Sequence, residues 1–237
     1  MTPEALFAAR LAADPGRPLV TFYDERTGER AELSAASTAN WVAKTYFLLT
    51  DEVSVDVGDV ALVRLPMHYL RLVVLFGAWF AGMTIATEPR AGVRATFAHL
   101  DADLHDLRTS DDVFALALRA WGQGYPSGAP EGSTDFVAAV RPQPDRFAQV
   151  RVMAAPDVPA VAGMSRAQLG EAAVDRAAQL GLGPGGRLLL RDDRIDPDDL
   201  ATWLAALTID GSLVLVAGAD DATVERLSAV ERVTAIA

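Results

Sequence analysis

Residues 55–66 read VDVGDVALVRLP, a glycine-containing turn followed by a short apolar run. The run 60–65 is typical of a buried strand, and the turn separates it from a helix that Ser34 would cap. An apolar segment with helical spacing, 69–81, follows the strand. A strand that lies between two helices in this way predicts an α/β fold.

The same order of elements occurs a second time in the chain. Ser165 would cap another helix, and a glycine-rich turn, a strand and a helix at 197–207 then lead to Gly211. From Ser34 to Gly82 is 48 residues, and from Ser165 to Gly211 is 46. This internal repeat predicts two related subdomains, each with a parallel or mixed sheet and flanking helices.

The composition divides the chain into three parts. Residues 1–121 are predicted to form the first α/β subdomain, and residues 148–237 the second, which repeats about 33–87. Residues 122–147 are rich in Gly, Pro and Ser, which is typical of a spacer on the protein surface. The boundary between the subdomains is therefore expected in this spacer.

Charge and composition exclude several classes of protein. The chain has 237 residues, of which 51% are hydrophobic, so a soluble globular protein with a sizeable core is expected. Its net charge of -11, without any run of Lys or Arg, would repel nucleic acid and anionic lipid. Without cysteine there is no disulfide, thiolate nucleophile or cysteine metal site. The first residues lack a signal-peptide pattern, which predicts a cytoplasmic protein.

One apolar segment has the composition of a membrane span. Residues 72–87, LVVLFGAWFAGMTIAT, carry no charge. The segment is shorter than the roughly 20 residues that a bilayer core requires, and it contains two glycines. We therefore predict a buried helix that ends near Gly82 and a buried strand at 83–86, and no membrane contact.

Five stretches, in this order, carry a resemblance to a known family: GERAELS (28–34), VDVGDVALVRLP (55–66), LFGAWFAGMTIAT (75–87), LGLGPGGRLLL (180–190) and LTIDGSLVLVAG (207–218). Together they resemble the N-terminal domain of the acyl-adenylate-forming enzymes, the AMP-binding acyl-CoA synthetase and ligase superfamily. The resemblance covers most of the chain and about the first half of such an enzyme, and it implies two similar subdomains packed against each other. More closely, the chain is similar to short actinobacterial proteins that are truncated relatives of this superfamily.

The resemblance implies that an ATP-binding loop should lie at 152–165. In the family this loop is rich in Ser, Thr and Gly and carries a Lys. Here it reads VMAAPDVPAVAGMS, with no Thr, no Lys and one glycine, Gly163. Phosphate binding needs free backbone N–H groups and hydroxyl or lysine donors, whereas Pro156 and Pro159 lack an N–H and Asp157 repels phosphate. The stretch therefore predicts a loop that does not bind a nucleotide.

Ser165 has a structural role in this interpretation. With Gln168 three residues later it fits a capping box, in which both side chains satisfy N–H groups at the start of a helix. The segment 163–167 also lacks the second glycine of a nucleophile elbow.

The remaining functional parts of the family are expected to be absent. The chain stops at Ala237, before the positions of the family's adenine-pocket motif, ribose-binding aspartate, hinge and C-terminal lysine. Lys44, the single lysine, lies on the helix that Ser34 would cap and is predicted to be solvated. We therefore assign no catalytic, cofactor-binding or metal-binding residue, and we expect no cofactor.

Two further candidates also have structural interpretations. The glycine-rich turn 181–186 follows a helix and precedes a strand, the reverse of a phosphate loop, which predicts a helix C-cap. His68 follows a strand end, where sites of α/β proteins occur. The sequence offers His68 no catalytic partner, which favours a packing or surface role.

Two acidic clusters could bind a cation. The first lacks the Gly and terminal Glu of a calcium loop and fits a helix N-terminus with Pro at its first position; it comprises Asp192, Asp193, Asp196, Asp198 and Asp199. The second could supply oxygen and nitrogen ligands but is more typical of a solvated face; it comprises Asp101, Asp103, His105 and Asp106. Weak cation binding is the alternative interpretation of each cluster.

These observations favour a non-catalytic binding or protein-interaction module. A second copy of the chain or a partner protein would cover sheet edges and apolar helix faces. An alternative is a half-enzyme that adenylates a carboxylate only together with another chain. A third function is that of a carrier or sensor of an acyl or CoA-like ligand in the groove between the subdomains.

Overall fold

The computed structural model describes residues 1–99, 110, 112–119, 122–147, 154–191 and 199–237. The chain forms two compact units. The first unit contains residues 1–38, 67–69 and 167–237, and the second contains residues 39–66 and 70–166.

The helices and strands alternate along the chain. The described helices are α1 (Pro3–Ala13), α2 (Ala35–Phe47), α3 (Tyr69–Phe80), α4 (Phe136–Val140), α5 (Arg166–Gln179), α6 (Leu200–Ala205) and α7 (Asp221–Val230). The described strands are β1 (Pro18–Asp24), β2 (Glu29–Ser34), β3 (Val60–Arg64), β4 (Thr84–Ala86), β5 (Val93–His99), β6 (Asp112–Leu116), β7 (Thr134–Asp135), β8 (Pro159–Val161), β9 (Met164–Ser165), β10 (Arg187–Arg191), β11 (Ser212–Ala217) and β12 (Ala235–Ile236). This alternation confirms the predicted α/β fold.

Sheet 1, in the first unit, has the strand order β12-β10-β11-β1-β2. Its neighbouring strands are parallel except for β1 and β2, which form an antiparallel hairpin. Helix α7 contributes Val224 and Leu227 to an apolar cluster with Leu189, Val214 and Val216 of the sheet. Burial of these side chains is the main stabilising contribution on this face.

Sheet 2, in the second unit, has the strand order β7-β6-β5-β3-β4-β8-β9. Its strands are parallel except for the pair β8 and β9. The ring of Phe97 stacks on Phe114 with centroids 5.2 Å apart and meets Phe136 edge to face at 5.9 Å. These three rings pack α4 against the sheet.

The segments compared in the sequence have the same order of elements in the structure. The hairpin β1–β2 precedes α2, β3, α3 and β4, and the hairpin β8–β9 precedes α5, β10, α6 and β11. Strand β3 pairs with β4, and β10 pairs with β11. Each hairpin joins the strands of the other segment, because β1 pairs with β11 and β8 pairs with β4.

This exchange of hairpins changes the division of the chain. The two units differ from the continuous segments 1–121 and 148–237 that the sequence suggests. Residues 18–34 belong to the same sheet as 187–191 and 212–217, because strand pairing joins them across nearly the whole chain. Local composition carries no information about such long-range pairing.

The predicted surface spacer 122–147 is more ordered than its composition suggests. It contains β7, which extends sheet 2, and α4, whose Phe136, Val137 and Val140 are buried. Asp135 caps α4 by accepting the N–H of Val137 at 2.8 Å. The spacer prediction therefore needs correction: a short apolar helix inside a Gly/Pro-rich segment completes the second unit.

Several local predictions are confirmed. The Ser34 hydroxyl accepts the N–H of Ser37 at 3.0 Å and so caps α2. Helix α3 is followed by Gly82 at φ +84, and the Met83 N–H donates to Ala78 O at 2.9 Å, which closes the helix end. Within the part of the chain that the structure describes, no helix has the length and apolar character needed to cross a membrane.

Candidate functional site

Residues 154–165, the described part of the segment where the family's ATP loop would lie, form a turn and the small hairpin β8–β9. Gly163 lies in the hairpin turn with φ +79, a conformation that favours glycine. Strand β8 joins sheet 2 beside β4, where Val161 pairs with Ile85. The described part of the segment thus provides edge strands of a sheet directly before helix α5.

Side chains of the second unit bind the backbone carbonyls of this hairpin. The indole N–H of Trp79 donates to Ala160 O at 3.0 Å, and the Thr84 hydroxyl donates to Pro159 O at 3.0 Å. Both donors come from the α3–β4 segment. The carbonyls are therefore satisfied by the protein itself.

Arg166, the first residue of α5, makes the densest set of these contacts. Its side chain is fully buried, and its guanidinium donates to Pro159 O at 2.6 Å and to Val158 O at 3.4 Å. The same group donates to Met83 O at 2.9 Å and Trp79 O at 3.3 Å. A buried guanidinium surrounded by carbonyls joins the hairpin to α3 and β4.

The chemistry of this loop is opposite to that of a phosphate cradle. A cradle presents N–H groups to the ligand, whereas the described hairpin residues present carbonyls to a buried cation. Pro156 and Pro159 contribute no N–H, and Asp157 is exposed and negative. The described residues of this loop therefore do not fit a bound nucleoside triphosphate.

Lys44 differs from its predicted role as a solvated lysine. It is half-buried, and its Nζ donates to Arg141 O at 2.7 Å and Gln143 O at 2.5 Å. These bonds hold the residues that directly follow α4, and a lysine near the C-terminus of a helix is favourable. The single lysine of the chain thus has a structural partner that its position on α2 does not reveal.

His68 lies in the core of the first unit. Its ring meets Phe22 edge to face with centroids 4.7 Å apart and lies 4.2 Å from Tyr69. The residue is only 2% exposed, which agrees with a packing role and excludes a surface one. The turn 181–186 is also as predicted, since it follows the end of α5 and precedes β10.

The acidic clusters lie largely outside the described residues. This is the case for Asp192, Asp193, Asp196 and Asp198, and for Asp101, Asp103, His105 and Asp106. Asp199 is described and caps α6 by accepting the N–H of Thr202 at 3.0 Å, so the described helix starts at Leu200, and the predicted start at 197 lies outside the described residues. Among the described residues, no group of three His, Cys, Asp or Glu side chains could hold a metal ion.

Another strand-loop-helix junction, between β11 and α7, is not predicted from the sequence. Its helix N-terminus is occupied by the protein's own carboxylate, because Asp220 accepts the N–H of Thr223 at 2.8 Å. This N–H and the Thr223 hydroxyl lower the pKa of Asp220. An aspartate with this charge and position competes with any phosphate at the junction.

A surface pocket in the second unit also escapes the sequence analysis. It has a volume of about 350 Å³ and lies beside a π-helical turn, Leu48–Val53, that continues α2. Its lining residues are Tyr46, Thr50, Ser54, Val55, Asp56, Val57 and Ala81. Such π-helical turns are frequent at functional sites, but they have no clear sequence signature.

The chain is similar in sequence to a protein of known family. A Mycobacterium tuberculosis protein, described as a TIGR03089 family protein, is 36% identical over 238 residues, covering 98% of this chain and 96% of its own. No protein-family profile matches the chain.

Solved structures of acyl-CoA synthetases share the fold. A Brucella canis acyl-CoA synthetase superposes with a TM-score of 0.76 and 17% identity, covering 100% of this chain and 47% of its own. The N-terminal domain of FACL13 from Mycobacterium tuberculosis superposes with a TM-score of 0.74 and 15% identity, covering 98% of this chain and 61% of its own. The chain thus spans about half the length of the full synthetases and has the fold of their N-terminal domain.

Proposed function

The chain belongs to the TIGR03089 family, and from this premise we propose that it is a non-catalytic binding or protein-interaction module built on an acyl-CoA synthetase fold. The proposal rests on the hydrogen bonds that the hairpin β8–β9 makes. Where nucleotide binding would require N–H and hydroxyl groups, Arg166 and Trp79 occupy the carbonyls of the hairpin.

The guanidinium of Arg166 does not replace the missing phosphate donors. It is fully buried and donates to four carbonyls, so recruiting it to a phosphate would break hydrogen bonds made by a charged donor. Each such bond contributes about 1.5–3 kcal/mol. A nucleotide would have to offset these losses before it gained any affinity.

Isothermal titration calorimetry with Mg-ATP, AMP and CoA tests the proposal. We expect no binding of ATP or AMP in the micromolar range, and an active acyl-CoA synthetase serves as the positive control. The variant Asp157→Asn removes the repelling charge and is still expected not to bind ATP, because the N–H donors remain absent. Micromolar ATP binding by the natural chain would overturn the proposal.

The same proposal includes contact of this chain with a second copy of itself or with a partner protein. In the first unit Val230 is 65% exposed and Ile236, on the edge strand β12, is 49% exposed. Apolar side chains at a sheet edge favour contact with another protein. Light scattering at high micromolar concentration should show a dimer, and Val230→Asp should weaken it. The proposed contact is wrong if the chain stays monomeric at this concentration and no partner protein reduces the exposure of Val230 and Ile236.

A half-enzyme is the second candidate function. It is favoured by the match of the entire chain to 47% of a synthetase, and in this candidate another polypeptide supplies the remaining parts. This candidate predicts ATP–pyrophosphate exchange when a C-terminal synthetase half is added. Exchange in such a mixture, but not with either part alone, would favour it over the binding module.

A further inference from the structure

The pocket beside the π-helical turn is lined by both apolar and polar groups. Its apolar lining comprises the buried Tyr46 and Ala81 together with Val55 and Val57. Polar groups come from Thr50, Ser54 and Asp56, and none of the described lining residues is cationic. A volume of about 350 Å³ is enough for a small organic ligand.

Backbone hydrogen bonds hold the walls of this pocket in place. The Val55 N–H donates to Leu49 O at 3.1 Å, which closes the π-helical turn. The Gly58 N–H donates to Gly82 O at 3.0 Å, and the Thr84 N–H donates to Asp59 O at 2.7 Å. A ligand would therefore meet a preformed site and would lose little affinity to ordering of the protein.

The charge around the pocket is negative. Residues 45–63 contain four carboxylates and no Lys or Arg. Two cations close to this part of the unit are engaged, since Lys44 donates to two carbonyls and Arg94, which binds Val53 O, pairs with Asp112. The carboxylate of Asp59 accepts the N–H of Asp56 at 2.8 Å.

Asp56 is the carboxylate placed to meet a ligand. It belongs to the pocket lining and is exposed, and among the described residues its side chain has no hydrogen-bond or ion-pair partner. An ammonium group at the rim would gain a charge-assisted hydrogen bond from it. An apolar chain on the same ligand would lie against Tyr46 and the two valines.

We propose that this pocket binds a small amphipathic cation, a primary ammonium group on an apolar body of about five carbons. The inference rests on the proposed binding role and adds the class of ligand and its site. Carboxylates and phosphates, including acyl and CoA-like ligands, are disfavoured here because Asp56 and its acidic neighbours repel anions. The ammonium can belong to a free amine or to the lysine side chain of a partner protein.

Titration of the ¹⁵N-labelled chain with n-pentylamine, followed by NMR, tests the proposal. Two ligands of the same length, 1-pentanol and pentanoate, separate the effect of charge from that of shape. We expect chemical-shift changes confined to residues 46–57 and 81, with pentylamine the tightest ligand and pentanoate the weakest. Nα-acetyl-lysine amide, in a parallel titration, distinguishes a partner's side chain from a free amine.

The variant Asp56→Asn tests the role of the carboxylate. Because Asp56 is exposed, the variant is expected to fold, which its spectrum would verify. We expect it to weaken pentylamine binding by about two- to fivefold and to leave 1-pentanol unaffected. The matched control Asp157→Asn removes a charge from the same unit outside the pocket and should change neither.

Two results would overturn the inference. One is pentanoate binding as tightly as pentylamine, and the other is equal pentylamine affinity in the natural chain and in Asp56→Asn. Neither result bears on nucleotides, and ATP binding by the chain would instead overturn the proposed function while leaving the pocket's preference for amines intact. The two proposals therefore fail separately.

Discussion

The two hairpins of the molecule are held in their sheets by different means. Hairpin β1–β2 pairs with β11 from Val20 to Asp24, and its Leu19, Val20 and Phe22 are buried in the first unit. Hairpin β8–β9 pairs with β4 only between Val161 and Ile85, and side chains bind its carbonyls instead. The first hairpin depends on many apolar contacts, and the second on a few polar donors.

This difference determines how each hairpin tolerates change. An apolar surface distributes its stabilisation over many atoms, so single conservative substitutions there cost little. A polar anchor is concentrated in one group, and its removal leaves buried carbonyls without a donor. The substitutions below test whether the second hairpin is indeed the more sensitive one.

The largest effect is expected from Arg166→Met, which keeps the apolar stem and removes the guanidinium. We expect the free energy of unfolding to fall by about 3–5 kcal/mol, because several buried carbonyls lose a charged donor. Urea denaturation measures this. Arg176→Met on the same helix is the matched control and should cost under about 1 kcal/mol, since the partly exposed Arg176 donates to Thr202. Equal losses in the two variants would contradict the comparison.

A smaller effect is expected from Thr84→Val, which nearly preserves the shape of the side chain. The hydroxyl that donates to Pro159 O is lost while Arg166 still donates to this carbonyl, so a cost of about 1–1.5 kcal/mol follows from the loss of one buried hydrogen bond. Native-state hydrogen exchange at Ala160 and Val161 should increase more than exchange in β1. Unchanged protection of the hairpin would show that the donors are dispensable.

The first hairpin contains an ionic network that should depend on pH. Glu231 accepts hydrogen bonds from Tyr23 and from Arg187, the latter at 2.5 Å, and lies 3.4 Å from Arg30. Burial raises the pKa of Glu231, but these donors outweigh it and the pKa lies below its ordinary value. The stability from this carboxylate is thus fully present above the pKa of the unfolded chain and is lost as pH falls through the lowered native pKa.

Denaturation of the natural chain and of Glu231→Gln at several pH values tests this. The natural chain should be the more stable at pH 7, and the difference should shrink below about pH 4. The exposed Glu225→Gln on α7 is the control and should show no such convergence. If the difference in stability between the natural chain and Glu231→Gln grew on acidification, the predicted direction of the pH dependence would be wrong.

The smallest effects are expected at the serines that end the two hairpins. Ser34→Ala removes the observed cap of α2 and should cost about 1 kcal/mol. Ser165→Ala should cost a similar amount if the predicted capping box with Gln168 forms. Thermal unfolding of both variants measures this. A cost for Ser34→Ala alone would leave Arg166 as the main anchor at the start of α5.

Local patterns in the sequence predicted a substantial part of the fold. The helix capped by Ser34 and the end of α3 at Gly82 follow from residues that are close in the chain, and the parallel α/β class follows from the order of elements. The missing phosphate donors at 154–165 were also evident, because proline and aspartate act through their own chemistry.

The remaining features depend on contacts between distant residues. The pairing of β1 with β11 and the position of Arg166 among the carbonyls of α3 and β8 join segments without any shared periodicity. The partners of Lys44 are distant in the chain as well, whereas the pocket near Asp56 depends on a π-helical turn that no local pattern predicts. Helix α4 was missed because the composition of its surroundings concealed five apolar residues, Phe136–Val140.

The exchange of hairpins also determines the order in which the protein can be completed during synthesis. Val20 pairs with Leu213, so the N-terminal hairpin leaves the ribosome 193 residues before its partner strand. At typical rates of translation this interval is roughly 10–40 s. The strands of sheet 2 lie between residues 60 and 165, so that sheet can assemble first. During this interval β1 is paired with β2 alone, and the edge of β1 that later pairs with β11 is open to chaperones.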